Sequence, residues 1–163
     1  MKQFLVVQGN AVFRECIALV LEWSTELQAL QAGSVEGAHR ALADPRNKVE
    51  LAIVDIGSPN GTPSDGNPLE LIEELRGSDP HLPVLALTTA DWSLEKRARA
   101  LRAGANQVFD SSGALEELID SVPRLVSGPV NGSETKMATE VRRLLRNSGR
   151  CTLLTPTSEE NEA

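Results

Sequence analysis

The chain has 163 residues, of which 40% are hydrophobic, and this length is enough for one domain with a buried core. A net charge of −7 at pH 7 disfavours direct binding of nucleic acid or of an anionic membrane surface, and the absence of Tyr disfavours base stacking. Neither a signal-peptide pattern nor an apolar stretch of membrane-spanning length is present, so we expect a cytoplasmic protein. Cys16 and Cys151 are isolated and indicate neither a metal site nor a disulfide framework.

Short apolar runs alternate with helical periods along residues 3–126. In chain order the sequence predicts strand 3–7, helix 12–22, strand 27–32, helix 34–43, strand 49–54, helix 67–76, strand 83–87, helix 93–103, strand 107–110 and helix 114–126. Five strands that alternate with five helices are typical of a doubly wound parallel sheet with helices on both faces. The sequence therefore predicts an α/β fold.

Local signals set the ends and faces of several predicted helices. The first helix has one apolar stripe made of Val12, Cys16, Leu19, Val20 and Trp23. Ser34 is a good N-cap for the second helix, and Pro68 suits the first turn of the third, with Gly77 just past its end. Gly104 is the expected stop of the fourth helix, and Pro123 is expected to bend the fifth or end it early.

The composition changes after the last of these helices. Residues 1–127 form the predicted domain, 128–133 a linker, 134–148 a further helix and 149–163 a tail that we expect to be disordered. The further helix contains the basic residues Lys136, Arg142, Arg143 and Arg146. A solvated or dimer-forming helix is favoured there over a nucleic-acid contact, because the charge is modest and an acidic tail follows.

The third predicted strand runs directly into Asp55, and a loop rich in Gly, Pro, Ser and Asn follows. This order places a carboxylate at the carboxyl end of a buried parallel strand, where open α/β sheets usually bind ligands. An aspartate after a strand is also a common turn residue that bonds its own backbone two positions on. Asp55 is therefore a candidate site residue with a structural alternative.

Four stretches together resemble a known family: LVVQGNAVFRECIALVLE, AIVDIGSP, PVLALTTA and ALRAGANQVF. Residues 5–126 resemble the receiver domain of two-component response regulators, most closely receivers that precede a helix-turn-helix domain. The resemblance implies a flavodoxin-like sheet with strand order 2-1-3-4-5. It also implies that Asp55 is the phosphoacceptor, that Thr88 is the switch hydroxyl and that Pro59 occupies its usual place in the following loop.

The sequence departs from the receiver pattern where the chemistry is concentrated. In such domains Mg²⁺, held by an acidic pair after the first strand, offsets the charge between the aspartate and the phosphoryl group. Gln8 and Gly9 occupy the positions of that pair, and Ser111 occupies that of the lysine that pairs with the phosphoryl oxygens. The aromatic switch position falls on Val108, or on Phe109 with a shift of one residue. We therefore expect no Mg²⁺ site, no other cofactor and inefficient phosphotransfer.

Two hypotheses remain, and neither is an enzyme. The first is a pseudo-receiver that acts through a protein partner or a homodimer, using the fourth and fifth helices and the strand between them, with Trp92 and Phe109 at that surface. Trp92 could instead pack on its own helix. The second is a conventional receiver that a histidine kinase phosphorylates on Asp55, controlling transcription through a partner or a further domain. Gly9 does not belong to a Gly-x-Gly-x-x-Gly motif, so no nucleotide cofactor is expected.

Overall fold

A computed structural model of the chain describes residues 1–57, 66–88, 94–110 and 114–127. Several predictions lie outside the described residues, namely those for Pro59, Trp92, Ser111 and everything from the linker onward. None of the helices in the described ranges is long and apolar enough to cross a membrane.

The described residues form five strands and five helices in strict alternation. In chain order these are β1 (Lys2–Val7), α1 (Ala11–Ser24), β2 (Gln28–Ala32), α2 (Val35–Ala43), β3 (Lys48–Gly57), α3 (Pro68–Ser78), β4 (Val84–Thr88), α4 (Leu94–Ala103), β5 (Gln107–Asp110) and α5 (Ala114–Ser127). The strands pair in parallel in the order β2-β1-β3-β4-β5. The predicted fold class and strand order are thereby confirmed.

The sheet is covered on both faces, and each strand contributes alternate side chains to each. Phe4 and Val6 of β1 point to the face covered by α1 and α5, where they join Ile17 and Val122. Leu5 and Val7 of the same strand, together with residues of α2, α3 and α4, belong to the core on the opposite face. This double coverage explains why the strands appear in the sequence as continuous apolar runs.

The apolar stripe predicted for α1 is not its packing face. Val12, Leu19 and Trp23 are 64%, 44% and 55% exposed, whereas the buried residues are Phe13, Ile17, Ala18, Leu21 and Ser24. Both sets recur at helical spacing, because α1 is apolar around most of its circumference. Periodicity alone could not distinguish the inner face from the outer one.

Three predicted ends also differ from the structure. β3 continues three residues beyond its predicted end, to Gly57, because Asp55 and Gly57 still pair with β4. α3 passes through Gly77 and ends at Ser78, where the N–H of Asp79 bonds the carbonyl of Leu75 at 2.9 Å. Pro123 lies inside α5 without ending it, because Val122 before it is buried and the partly buried Leu125 and Val126 after it pack against the same core.

Other local predictions are confirmed. Ser34 caps α2, and its hydroxyl accepts a hydrogen bond from the N–H of Gly37 at 3.0 Å. Gly104 follows α4 with φ of +120°, a backbone conformation that side chains disfavour. A Cβ at this position would lie 2.9 Å from Cγ of Arg76, so a second constraint also requires glycine.

Candidate functional site

Three polar residues are buried where β1, β3 and β4 end. Gln8, Asp55 and Thr88 are only 3%, 6% and 2% exposed. The register of the sheet brings them together, because Val7 pairs with Val54 and Gly57 pairs with Thr88. The carboxyl edge of the sheet therefore holds a compact polar cluster, as the sequence predicted for Asp55 and Thr88.

A β-bulge sets the direction of Asp55. Asp55 pairs with Leu87, and the next pair joins Gly57 to Thr88, so Ile56 is an extra residue on β3. A bulge of this kind bends its strand and redirects the neighbouring side chains. It also places the N–H of Gly57 within 3.0 Å of Oδ1 of Asp55, the bond expected of an aspartate in a turn.

Gln8 supplies the second hydrogen bond to the carboxylate. Its Nε2 donates to Oδ2 of Asp55 at 2.7 Å, so each carboxylate oxygen accepts a bond from a neutral group. Burial raises the pKa of Asp55 above its ordinary value, while the bonds from Gly57 and Gln8 pull that pKa down. Burial has the larger effect, so the fold stabilises the protonated carboxyl group relative to the unfolded chain.

The orientation of the Gln8 amide is fixed by the hydrogen bond that its oxygen accepts. Oε1 of Gln8 accepts a hydrogen bond from the N–H of Asn10 at 3.0 Å, so the NH₂ group faces Asp55. Asn10 is the N-cap of α1, and its own side chain accepts from the N–H of Phe13. The backbone of Gln8 is held by Arg14, whose Nη1 donates to its carbonyl at 2.7 Å. The start of α1 thus positions the group that contacts Asp55.

Thr88 and Lys96 complete the surroundings of Gly57. Oγ1 of Thr88 is buried and has no hydrogen-bond partner in the described part of the chain. Nζ of Lys96, from the first turn of α4, lies 3.9 Å from where a Cβ on Gly57 would be. Lys96 was missed by sequence reasoning, because nothing in the spacing of α4 distinguishes it from Arg97 or Arg99.

The described residues around Asp55 do not fit a Mg²⁺ ion. Mg²⁺ prefers carboxylate and carbonyl oxygens, but the Gln8 side chain that is bonded to Oδ2 of Asp55 offers an NH₂ group instead. The oxygen of that amide is already bonded to Asn10, and Gly9 has no side chain to contribute. Within the described ranges, no group of three His, Cys, Asp or Glu side chains is placed to hold a metal ion.

The two candidates for the aromatic switch position lie on opposite faces of the sheet. Val108 is buried on the side of α4, in the core that includes Ala100 and Ala103. Phe109 is 7% exposed and packs with Phe4 and Leu118 under α1 and α5. The expectation that Phe109 contributes to a contact surface is therefore wrong for this structure, because β5 points its ring into the core.

Comparison with known proteins identifies the family. A family model described as the response regulator receiver domain matches residues 4–123, and the chain belongs to that family. The response regulator MprA of Mycobacterium tuberculosis (strain ATCC 25618 / H37Rv) is 31% identical over 117 residues, which are 72% of this chain and 47% of MprA. The virulence transcriptional regulatory protein PhoP of Salmonella typhimurium (strain 14028s / SGSC 2262) is 31% identical over 128 residues, which are 77% of this chain and 52% of PhoP.

The fold comparison agrees. The crystal structure of the receiver domain of NtrX from Brucella abortus superposes with a TM-score of 0.65 at 23% identity, covering 77% of this chain and 99% of that domain. The chain spans about half the length of the curated relatives it matches. The family, and with it a place in two-component signalling, is established for residues 4–123.

Proposed function

We propose that this receiver domain acts by contact with a protein partner or a second copy of itself, with little or no Mg²⁺-dependent phosphotransfer to Asp55. The observation that supports this proposal best is the 2.7 Å hydrogen bond from Nε2 of Gln8 to Oδ2 of Asp55. In the receiver pattern an acidic side chain occupies the position of Gln8 and helps to bind a cation. Here the neutral amide of Gln8 donates a hydrogen bond to the carboxylate at the place where a cation would otherwise bind.

The expected loss of phosphotransfer rate supports the same proposal. Conventional phosphotransfer uses Mg²⁺ to offset the repulsion between a carboxylate and an incoming phosphate. Removing one preorganised electrostatic group typically slows a reaction by about 10²- to 10³-fold. Replacing both acidic residues with Gln8 and Gly9 should therefore slow modification of Asp55 by about 10⁴-fold or more.

The surface that we propose for contact includes α4. Leu94 and Leu101 are exposed and seven residues apart, so they lie on one side of this helix. Apolar side chains in such an arrangement suit a helix-to-helix contact across a dimer or with a partner. Because PhoP is named a transcriptional regulatory protein, we propose the same broad role here, in the cytoplasm and exerted through a partner or a further domain.

A second candidate is a receiver that a histidine kinase phosphorylates on Asp55. Two observations favour it: the hydroxyl of Thr88 is buried without a partner in the described residues, and the ammonium group of Lys96 lies close to Gly57. A phosphoryl group on Asp55 could accept a hydrogen bond from Thr88, and Lys96 could offset part of its charge. This candidate requires modification to proceed without the acidic pair.

Intact-mass measurement after incubation with acetyl phosphate and Mg²⁺ distinguishes the two candidates. We expect the wild-type chain to stay unmodified, whereas the variant Gln8→Asp/Gly9→Asp, with its acidic pair restored, should gain one phosphoryl group. Adding Asp55→Asn to that variant should abolish the gain, because the acceptor is then absent. Rapid modification of the wild-type chain, at the rate of the restored variant, would favour the second candidate instead.

The contact surface has its own test by sedimentation velocity over a range of concentrations. If α4 forms a dimer contact, Leu101→Ser should shift the protein toward monomer. Arg99→Ser, an exposed change on the same helix, serves as the matched control and should leave the association unchanged. A wild-type chain that is monomeric at every concentration would exclude self-association and leave only a partner protein.

A further inference from the structure

The outer face of α1 carries a row of apolar residues that the described part of the chain leaves uncovered. We name Val12, Cys16, Leu19 and Trp23 the outer stripe; successive members are four, three and four residues apart. Three of them are exposed by more than two fifths of their surface, and the thiol of Cys16 is free and partly exposed. The spacing is that of a helix seam that packs against a second helix.

The far face of the same helix shows that the outer stripe is not needed for the domain core. Phe13, Ile17 and Leu21 already anchor α1 to the sheet and to α5. A contiguous row of large apolar side chains on a surface is a common mark of an interaction site. The question is which segment covers it.

Residues 134–148 have the matching pattern. Met137, Val141 and Leu144 are four and three residues apart, and Leu145 widens the row. On a helix the basic side chains of this segment lie away from that row or at its flank: Lys136, Arg142, Arg143 and Arg146. The segment is therefore amphipathic, and its apolar row matches the outer stripe in spacing.

The connection between the two has a suitable length. α5 ends at Ser127 and packs beside α1 through Leu118 and Val122. The six residues 128–133 can span up to about 20 Å, whereas neighbouring helices are about 8–10 Å apart. The outer stripe extends for about 16 Å along α1, and a helix of residues 137–148 has about the same length.

The direction of the chain is also suitable. α1 and α5 both follow strands of one parallel sheet, so they run in the same direction and end at the same side of it. Trp23 therefore lies at the end of the domain where α5 finishes. A helix that turns back after the linker would run antiparallel to α1, from Trp23 toward Val12.

The net charges of the two surfaces are opposite, so they attract each other. Residues 1–127 have an excess of acidic side chains, and Glu15 and Glu22 are exposed next to the outer stripe. The segment 134–148 has four basic residues against two acidic ones, Glu134 and Glu140. Opposite net charges steer the two surfaces together and strengthen the contact at low ionic strength.

We propose that residues 134–148 form a helix that docks antiparallel on the outer stripe of α1 in the same molecule. The docked segment covers Cys16 and Trp23 and makes α1 unavailable to other proteins. This inference does not depend on whether Asp55 is phosphorylated.

Disulfide formation with Cys16 tests the proposal in the full chain. In a Cys151→Ser background, Val141→Cys or Leu144→Cys should form an intramolecular disulfide on mild oxidation, seen as a fast-migrating monomer on non-reducing gels. Arg146→Cys, which a helix places on the opposite side, is the matched control and should stay reduced. Crosslinks that appear only between two chains would overturn the proposal in favour of a dimer contact, and equal crosslinking of both faces would overturn it altogether.

The reactivity of Cys16 gives an independent measurement. In the Cys151→Ser background, Leu144→Glu/Leu145→Glu should raise the rate of Cys16 alkylation by about tenfold, the ratio expected if roughly nine in ten molecules are docked. Thr135→Glu/Thr139→Glu adds the same charge on the far side of the helix and should leave the rate unchanged. If both double variants react at the wild-type rate, Cys16 is not covered by this segment and the proposal fails.

Discussion

The carboxyl edge of the sheet and the outer stripe of α1 depart from the usual burial rule in opposite ways. At the edge, polar Gln8, Asp55 and Thr88 are withdrawn from water. On the outer stripe, large apolar side chains including Leu19 and Trp23 are exposed to water. Both arrangements cost free energy unless something compensates, and buried polar groups or exposed apolar rows are the informative exceptions in a folded protein.

The difference lies in where the compensation comes from. For Asp55 the compensation is internal, because the amide of Gln8 and the N–H of Gly57 satisfy both oxygens of the carboxylate. For the outer stripe, the described residues provide no cover, and we infer that it comes from residues 134–148. The carboxylate of Asp55 therefore has its partners among the described residues, whereas the outer stripe depends on a segment that docks on it.

Substitutions on the two faces of α1 should differ most in their effect on stability. Ile17→Ala should lower the free energy of unfolding by about 2–5 kcal/mol, because Ile17 is fully buried between the sheet and α5. Leu19→Ala, two residues away on the outer stripe, should cost less than about 1 kcal/mol. Urea denaturation of both variants provides the measurement. Equal losses would mean that the inner and outer faces have been assigned wrongly.

A smaller loss of stability should follow when the hydrogen bond from Gln8 to the buried Asp55 is removed. Gln8→Ala should cost about 1–3 kcal/mol, since it removes the donor to a buried carboxylate and leaves the N–H of Asn10 without its partner. Gln31→Ala removes an exposed amide that bonds Arg14 and Glu15, and should cost less than about 1 kcal/mol. The two variants are compared by chemical denaturation. A Gln8→Ala protein as stable as Gln31→Ala would show that Asp55 does not need this amide.

A pH dependence should follow from the raised pKa of Asp55. The folded state holds this proton more tightly than the unfolded chain, whose ordinary pKa is 3.8. The stability of the wild type relative to Asp55→Asn should therefore be highest at low pH and fall as pH rises through the folded pKa. Parallel denaturation curves from acid to neutral pH measure the difference. A difference that grows with rising pH would mean that the site favours the charged carboxylate.

Two threonine-to-valine substitutions should change the stability least. Thr88→Val replaces a buried hydroxyl that has no partner among the described residues, so it should be neutral or stabilise by up to about 1 kcal/mol. Thr25→Val removes a hydroxyl that donates to Leu21 and accepts from Leu27, and should cost about 1 kcal/mol. Thermal melts of both variants test this contrast. A clear loss for Thr88→Val would reveal a partner of its hydroxyl in the folded protein.

The alternation of strands and helices was predictable because each element has a strong local signal. The four residues of β5 were predicted with the bounds that the structure shows, and the meeting of Asp55 and Thr88 follows from the parallel sheet alone. The packing face of α1 was not predictable, because its inner and outer rows are both apolar and contacts with the sheet and α5 decide between them.

The details of the site depended on contacts that are distant in sequence. Gln8 and Asp55 are 47 residues apart, and the direction of the Gln8 amide is decided by Asn10 at the start of α1. The bulge at Ile56, which aligns Gly57 with Thr88, has no sequence signal of its own here. Lys96 approaches Gly57 only because α4 follows β4 at the same edge of the sheet.

Melting temperature as a function of Mg²⁺, with and without beryllofluoride, tests most directly whether the Gln8 amide has replaced the cation. A ligand that binds the native state raises the melting temperature, so binding is visible without any activity assay. We predict that neither addition changes the wild-type melting temperature, whereas Gln8→Asp/Gly9→Asp is stabilised by Mg²⁺ and further by beryllofluoride. A Mg²⁺-dependent rise in the wild-type protein, lost in Asp55→Ala, would contradict it.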